Sequence, residues 1–440
     1  MPPEVIALAV LALVFLVATL RSINMGALAL VAAFVVGLSV FGEDADAIVA
    51  GFPGDLFVIL VGVTYLFALA KNNGTVDWIV QGAVRAVRGR VALVPWAMFF
   101  VCAAVTSIGA VSPAAVAIVA PVATGFAHRY RIHPVMMGMM VVQGATGGSF
   151  SPIGIFGSIT NGVVEANHLD SSPTFLFLSA MAAALLIALA TYVAFGGHEL
   201  IRRGKDERAL RGLGTAATAA SRTATQRPVP AASSSGPATD DGRLNAERST
   251  TLVGLVALIV GALAFDLDVG FTALTVAVAL TLVFPPSARG AVEKIGWGTI
   301  LLVGGIVTYV NLLQSHGVVT WLGDRVAEVG APLLAALLIC VIGAVVSAFA
   351  STTGIIGALI PLAVPFLLID EVSAVGLVAA LAISSSVVDC SPFSTNGALI
   401  VANADEDDRE LVFTRLMRWG MSLVVLAPLT TWAVLVLPTT

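Results

Sequence analysis

Long apolar runs dominate this sequence and limit its fold more than any other feature. About a dozen of them follow one another along the 440 residues, for example at 4–20, 55–70 and 173–196. A helix of about 20 residues crosses the roughly 30 Å hydrocarbon core of a bilayer. With 58% hydrophobic and only 11% charged residues, the composition also departs from that of soluble domains. The chain is therefore predicted to be an all-α polytopic membrane protein.

Two of the runs are long enough to fold back on themselves. Residues 91–127 and 331–369 each contain two apolar arms around a small polar tip, at 107–114 in the first run and at 350–354 in the second. Polar groups in the middle of an apolar run predict a hairpin inside the membrane. The second arm of the first hairpin, 115–127, would span only about 20 Å as a helix, which favours re-entry over crossing.

The apolar run that follows each hairpin is divided by a Ser-Pro pair, at Ser151-Pro152 in one half and at Ser391-Pro392 in the other. Proline lacks the N–H that a helix interior needs, so each run is predicted to be a discontinuous helix. The breaks are expected at 145–152 and 389–397, with a second half-helix beginning near each proline.

The positions of lysine and arginine test this division, because these residues collect on the cytoplasmic side of a membrane. If each hairpin returns to its own side and each broken helix crosses once, all 22 basic residues except Arg325 lie on one side. That side is assigned to the cytoplasm, and the membrane is predicted to be the cell (inner) membrane. Both termini are then expected outside, and each half of the chain makes about five crossings plus one re-entrant hairpin.

The composition changes at 197–249, which is rich in Ser, Thr, Ala, Pro and Gly and has almost no apolar periodicity. Such a composition is typical of disordered chain. The predicted organisation is therefore an N-terminal membrane repeat at 1–196, a disordered cytoplasmic linker at 197–249 and a C-terminal membrane repeat at 250–440.

The two halves resemble each other at a nearly constant offset. Val63-Thr64-Tyr65 recurs as Val307-Thr308-Tyr309, Ser151-Pro152 as Ser391-Pro392, and Gly157 as Gly397. Because each half has an odd number of crossings, the second half enters the bilayer from the opposite face, and the repeats are predicted to be inverted. Inverted repeats with broken helices are typical of secondary transporters that bind their substrate near the membrane midplane.

No lysine or arginine lies in the two hairpin tips or the two breaks. A bound anion would therefore be held by backbone amides, hydroxyl groups and the positive ends of half-helix dipoles. A single hydroxyl in a membrane helix more often bonds the preceding turn than a ligand, so the clusters are stronger candidates than their members. The candidate substrate-binding residues are Ser112, Thr146, Ser149, Ser151, Ser351, Thr352, Thr353, Ser391, Ser394, Thr395 and Asn396.

Asp389 is an ionisable residue beside a helix break at membrane depth, a costly position that usually has a functional reason. Its carboxylate could bind sodium, carry a proton or cap the half-helix that follows. Its counterpart at offset 240 is Ser149, so any carboxylate chemistry is predicted to belong to one half only.

Other functions are disfavoured. A net charge of -5 from few charged residues leaves no basic face for nucleic acid. Cys102, Cys340 and Cys390 lack the spacing of a zinc site or a disulfide framework. The five histidines are scattered and no paired acids lie at depth, so neither an enzyme nor a cofactor is expected.

Nearly all of the chain outside the linker resembles the ion transporter superfamily, and most closely its MatC-type dicarboxylate (malonate) carriers, and three stretches match best. They are 51–56 (GFPGDL), 143–154 (QGATGGSFSPIG) and 389–397 (DCSPFSTNG). The resemblance implies a symporter that imports a small dicarboxylate by an elevator-like motion around two cation sites, and it makes a homodimer plausible. An inorganic ion exchanger of the same fold, such as a sodium/proton antiporter, is the alternative.

Relatives that couple transport to sodium carry Ser-Asn-Thr at both hairpin tips. The corresponding residues here are Ser-Pro-Ala at 112–114 and Ser-Thr-Thr at 351–353. The first tip departs from the pattern. Proton coupling through Asp389 is therefore an alternative to sodium coupling. Sodium is the one metal ion expected. The residues for which the resemblance implies cation coupling are Asp389, Ser351, Thr353 and Asn396.

Overall fold

The computed structural model describes residues 2–21, 23–87, 90–167, 169–170, 172–203, 244–265, 267–318, 321, 332–348, 352, 355–357, 359–360, 363 and 373–439. Within these ranges the chain forms α helices with short π and 3-10 segments, and it forms no β strand. The prediction of an all-α protein is confirmed.

The first half contains eleven helices in the part that the structure describes. They are α1 (Pro3–Leu20), α2 (Met25–Val36), α3 (Ala45–Ala50), α4 (Gly54–Asn72), α5 (Thr75–Ala86), α6 (Val94–Ser107), α7 (Ser112–Tyr130), α8 (Pro134–Ser149), α9 (Ile155–Ala166), α10 (Pro173–Ala194) and α11 (Gly197–Arg202). A π segment, Gly37–Phe41, prolongs α2.

The described residues of the second half follow a similar order. Its helices are α12 (Ala246–Ala264), α13 (Val269–Val283), α14 (Pro285–Ala288), α15 (Trp297–Ser315), α16 (Pro332–Ser347), α17 (Ala374–Ser386), α18 (Thr395–Asn403) and α19 (Arg409–Thr431). A π segment, Trp432–Val436, continues α19.

Local sequence explains where several of these helices begin. The Ser172 hydroxyl accepts a hydrogen bond from the Phe175 amide at the start of α10, and Ser373 caps α17 in the same way. Asn245 caps α12 through its side chain. Serine and asparagine are suited to this position because their side chains satisfy amides that lack a partner in the first turn.

Four helices in the described ranges are long and apolar enough to cross a membrane: α4, α10, α15, and α19 with its extension, Arg409–Val436. Six shorter apolar helices accompany them. Apolar side chains also face outward, such as Leu186 on α10 and Val434 in the extension of α19, which are 67% exposed. These features fit a multi-pass membrane protein, whose outer side chains face lipid rather than water.

The first hairpin forms as two helices around a tip, but its second arm is longer than predicted. The α7 helix has 19 residues, Ser112–Tyr130, where the sequence indicated 115–127, and Pro121 lies inside it. At 1.5 Å per residue α7 is about 28 Å long, so its length does not favour re-entry. Of the second hairpin the structure describes α16 and a few later residues.

The two breaks overlap the predicted ranges, but their bounds differ. The first occupies 150–154 rather than 145–152, because α8 continues to Ser149, and the second occupies 387–394 rather than 389–397. Pro152 and Pro392 lie within the breaks and do not begin the half-helices. The first break closes as a turn in which the Gly154 amide donates to the Ser151 carbonyl, and α9 starts only after it.

The predicted linker at 197–249 is helical at both ends of its described part. The short helix α11 covers Gly197–Arg202, and α12 begins at Ala246. Residues 204–243, on which the prediction of disorder mainly falls, lie outside the described residues.

Glycines from the two halves form a reciprocal pair of helix contacts. A Cβ on Gly305 of α15 would lie 1.9 Å from the Gly26 carbonyl oxygen of α2, and a Cβ on Gly62 of α4 would lie 2.6 Å from the Gly270 carbonyl oxygen of α13. Gly26 and Gly270 are 244 residues apart in the sequence and Gly62 and Gly305 are 243 apart, close to the offset of the repeat. Only glycine permits backbones to approach so closely.

The repeat-related helices α4 and α15 run in opposite directions where they touch. The Asn311 side chain, late in α15, donates to the Gly51 carbonyl just before α4 at 2.7 Å. At the other end, the Gly296 amide before α15 donates to the Thr64 hydroxyl of α4 at 3.3 Å. The two helices are therefore antiparallel.

We expect Gly305→Ala to destabilise the fold, because its methyl group would overlap the α2 backbone and force α2 and α15 apart. Overpacking of this kind costs about 1–3 kcal/mol or more. Thermal unfolding in detergent should show a clearly lower midpoint for this variant. Gly125→Ala is the matched control, since a Cβ there meets no heavy atom within 4 Å. Equal midpoints for the two variants would contradict the proposed contact.

Candidate functional site

The tip of the first hairpin is bonded to the first break in both directions. The Ser151 hydroxyl donates to the Ser107 carbonyl at 2.6 Å, and the Ser107 hydroxyl donates to the Gly148 carbonyl at 3.2 Å. These bonds join the end of α6 to the end of α8. Ser151, a predicted substrate-binding residue, therefore also positions the break.

The second break is organised by Ser394. Its hydroxyl lies 2.7 Å from the carbonyl oxygens of both Asp389 and Ser391, and it accepts the Gly397 amide at 3.3 Å as the N-cap of α18. The Ser391 hydroxyl accepts the Phe393 amide at 3.3 Å. Both predicted serines are buried and stabilise the loop between the two half-helices.

Both half-helices begin against the carbonyl of the serine that precedes the proline. A Cβ on Gly157 would lie 2.0 Å from the Ser151 carbonyl oxygen, and a Cβ on Gly397 would lie 1.9 Å from the Ser391 carbonyl oxygen. The offset of 240 residues therefore relates positions with the same local packing. Any side chain there would push the half-helix away from its break.

Asp389 lies in a buried cluster that joins the two halves of the chain. The Asn396 side-chain amide donates to the Asp389 carboxylate at 2.7 Å and to the Ser112 hydroxyl at 2.7 Å. Thr352 interacts with the same carboxylate. These four residues, here called the Asp389 cluster, are each at most 2% exposed.

Two oxygen atoms of the Asp389 cluster have no hydrogen-bond partner in the part of the chain that the structure describes. They are Asp389 Oδ1 and Asn396 Oδ1. An unsatisfied buried acceptor is costly unless a proton or a cation reaches it. Carboxylate, amide and hydroxyl oxygens suit a hard cation, so these residues fit either sodium or a proton.

The other candidates divide into several groups. The Ser149 hydroxyl bonds the Ala145 carbonyl of its own helix at 2.8 Å, as membrane serines often do. Thr395 is exposed. Thr146 is buried, and its hydroxyl has no partner among the described residues. Ser351 and Thr353 lie outside the described residues.

The amides at the start of α9 suit an anion better than those of α18. Gly154, the N-cap of α9, offers no side chain to them, whereas Ser394 already accepts an amide of α18. Uncapped amides and the helix dipole together attract negative charge. No Lys or Arg lies in either observed break, 150–154 or 387–394.

Gln143 is a buried site residue that the sequence reasoning missed. Its side-chain amide on α8 donates to the Val387 carbonyl in the second break at 3.1 Å, and its Oε1 has no partner among the described residues. A glutamine in the middle of an apolar helix is a signal that could have identified it. It links the first broken helix to the second break.

Two protein families match the chain, one in each half. Residues 1–149 match the family described as the dicarboxylate carrier protein MatC N-terminus, and residues 255–439 match the family described as citrate transporter. Together the two matches support a MatC-type dicarboxylate carrier of the ion transporter superfamily. No individually curated protein matches the chain. The matches indicate a multi-pass membrane protein that transports small carboxylates. They indicate a carrier rather than an enzyme.

Proposed function

We propose that this carrier imports a small dicarboxylate, of the malonate or C4-diacid class, together with a cation. The observation that carries the proposal is the buried Asp389 cluster, in which an acidic side chain of one half meets Ser112 of the other. Asp389 Oδ1 and Asn396 Oδ1, which have no hydrogen-bond partner among the described residues, would bind the coupling cation.

The absence of fixed positive charge in the breaks supports cation coupling. A doubly charged substrate entering a region without Lys or Arg is poorly stabilised by hydroxyls and amides alone. A cation beside Asp389 would reduce the repulsion between that carboxylate and the substrate. Substrate and cation would then each favour binding of the other, which is the thermodynamic requirement for symport.

The transport motion is proposed to be an elevator-like displacement of the hairpins and broken helices. Inverted repeats are supported by the reciprocal glycine contacts and by the opposite directions of α4 and α15. Two repeats of this kind can exchange conformations and so open a central site to each side in turn. The proposal places the carrier in the inner membrane as a homodimer, with both termini outside.

The test is uptake of labelled malonate, succinate and malate into proteoliposomes with an imposed sodium or pH gradient. We expect gradient-driven accumulation of at least one diacid, and the effective gradient identifies the cation. Proton flux driven by sodium in the absence of any diacid would instead favour an inorganic ion exchanger. If no diacid accumulates under either gradient, the proposal is wrong.

Ser151→Ala and Ser391→Ala together should weaken the apparent affinity for substrate more than either substitution alone. Each removes a buried hydrogen bond worth about 1 kcal/mol that positions a break, so the double variant should lose roughly tenfold or more. Concentration dependence of uptake measures this change. Ser179→Ala is the control, because its hydroxyl bonds only its own helix at Leu176. An unchanged apparent affinity in the double variant would exclude these serines from substrate binding.

A further inference from the structure

A small cavity with two arginines in its lining lies between two membrane-spanning helices. It has a volume of about 240 Å³ and lies between the end of α10 and the first half of α19. Its lining residues are Ala194, Phe195, Arg415, Arg418, Trp419 and Ser422. The Phe195 and Trp419 rings, 5.7 Å apart between centroids, form its aromatic wall.

The cavity carries positive charge that the described residues do not neutralise. Arg415 and Arg418 are exposed, and within the described ranges neither guanidinium takes part in an ion pair or hydrogen bond. Two guanidinium groups without an acceptor among the described residues thus line one small space, which suits an anionic group with several oxygen atoms.

Two helices independently place this cavity at the boundary of the hydrocarbon core. The α10 helix has 22 residues, about 33 Å, so its end at Ala194 lies near one membrane surface. The helix Arg409–Val436 has 28 residues, about 42 Å, and therefore extends beyond a core of roughly 30 Å. A core of this thickness takes about 20 helical residues. Counted back from Val436, these residues end in the segment that contains Arg415 and Arg418.

Exposed apolar side chains continue from the cavity toward the membrane interior. Leu189 and Val193 on α10 are 48% and 63% exposed, and Val425, Leu426 and Leu429 on α19 are 59%, 54% and 44% exposed. These rows would accommodate acyl chains. Glu410, an acidic residue in the first turn of α19, lies about 8 Å from Arg415 along the helix axis, on the side away from the apolar rows.

We propose that this cavity binds the headgroup of an anionic phospholipid. Its phosphate accepts hydrogen bonds from Arg415 and Arg418, and its acyl chains lie along the apolar rows of α10 and α19. Basic pockets between membrane helices are suited to such headgroups, because charge and aromatic side chains coincide at the depth of the phosphate. The lipid then bridges α19, which contacts the second broken helix, and α10, which contacts the first.

The test compares purified wild-type carrier with the variant Arg415→Gln/Arg418→Gln. Thermal midpoints are measured in detergent micelles containing phosphatidylglycerol or phosphatidylcholine, and with inorganic phosphate alone. We expect phosphatidylglycerol to raise the wild-type midpoint by several degrees. Phosphatidylcholine and inorganic phosphate should change it little. The double variant should bind phosphatidylglycerol roughly thirtyfold more weakly.

Arg409→Gln is the matched control, because Arg409 is an exposed arginine on the same helix but outside the cavity. It should keep the wild-type response to phosphatidylglycerol. Equal lipid responses in wild type and the double variant would overturn the proposal. An equal response to inorganic phosphate would also overturn it, since the site would then bind a free anion. Neither result would affect the uptake test of the proposed function.

Discussion

Asp389→Asn is expected to abolish the dependence of carboxylate uptake on the cation gradient while the protein still inserts and folds. The asparagine keeps the size of the side chain but removes the negative charge that attracts a proton or sodium. Hydrogen bonds to a buried charged group contribute about 1.5–3 kcal/mol, so gradient-driven accumulation should fall roughly ten- to hundredfold. Downhill exchange of substrate should be affected less, because it requires no net coupling.

The measurement is accumulation of labelled diacid in proteoliposomes under separate sodium and pH gradients. Asp46→Asn is the control, because Asp46 is an exposed carboxylate in the first turn of α3. It should transport like the wild type. Size-exclusion profiles of the purified variants separate a loss of coupling from a loss of folding. If Asp389→Asn responds normally to both gradients, Asp389 has no part in coupling.

Gly397→Ala is expected to stop transport almost completely. Its methyl group would lie 1.9 Å from the Ser391 carbonyl oxygen, and backbone atoms cannot rotate away as a side chain can. The half-helix α18 must therefore move, which displaces Asn396 and breaks its bonds to Asp389 and Ser112. Displacing a binding group by about 1 Å can cost on the order of a hundredfold in rate.

Initial uptake rates at saturating substrate measure this effect, and Gly157→Ala should act in the same way on the first break. Gly125→Ala provides the comparison, because its added methyl group meets no heavy atom within 4 Å. Midpoints of thermal unfolding, recorded for all three variants, identify any loss that comes from unfolding. Rates near the wild-type value for Gly397→Ala would show that the second break does not need its close backbone contact.

The two breaks are related by sequence but are not equivalent. Ser149 ends α8 and bonds its own helix, whereas its counterpart Asp389 lies beyond the end of α17, within a longer break. The repeat therefore preserves the packing at Gly157 and Gly397 while the polar chemistry differs. That carboxylate chemistry belongs to one half stays a prediction, which Asp389→Asn tests.

The positions of most apolar helices could be predicted from the sequence because membrane helices depend on a local property. The run at 298–315 became Trp297–Ser315, and the run at 173–196 became Pro173–Ala194. Bounds were less accurate where the chain is irregular. The end of α8 at Ser149 depends on contacts with α6, since the glycines at 144 and 148 pack against the Phe99 and Ala103 carbonyls.

The sequence by itself determined the membrane class, the repeat, the two Ser-Pro breaks and the absence of fixed positive charge near them. These follow from the length of apolar runs and from residue identity, which need no partner elsewhere in the chain. Only the tertiary structure decided that Asn396 bridges Asp389 and Ser112, a residue 284 positions away, and that Gln143 reaches Val387. Such contacts depend on how distant helices pack, and no local pattern of residues encodes which buried polar groups will meet.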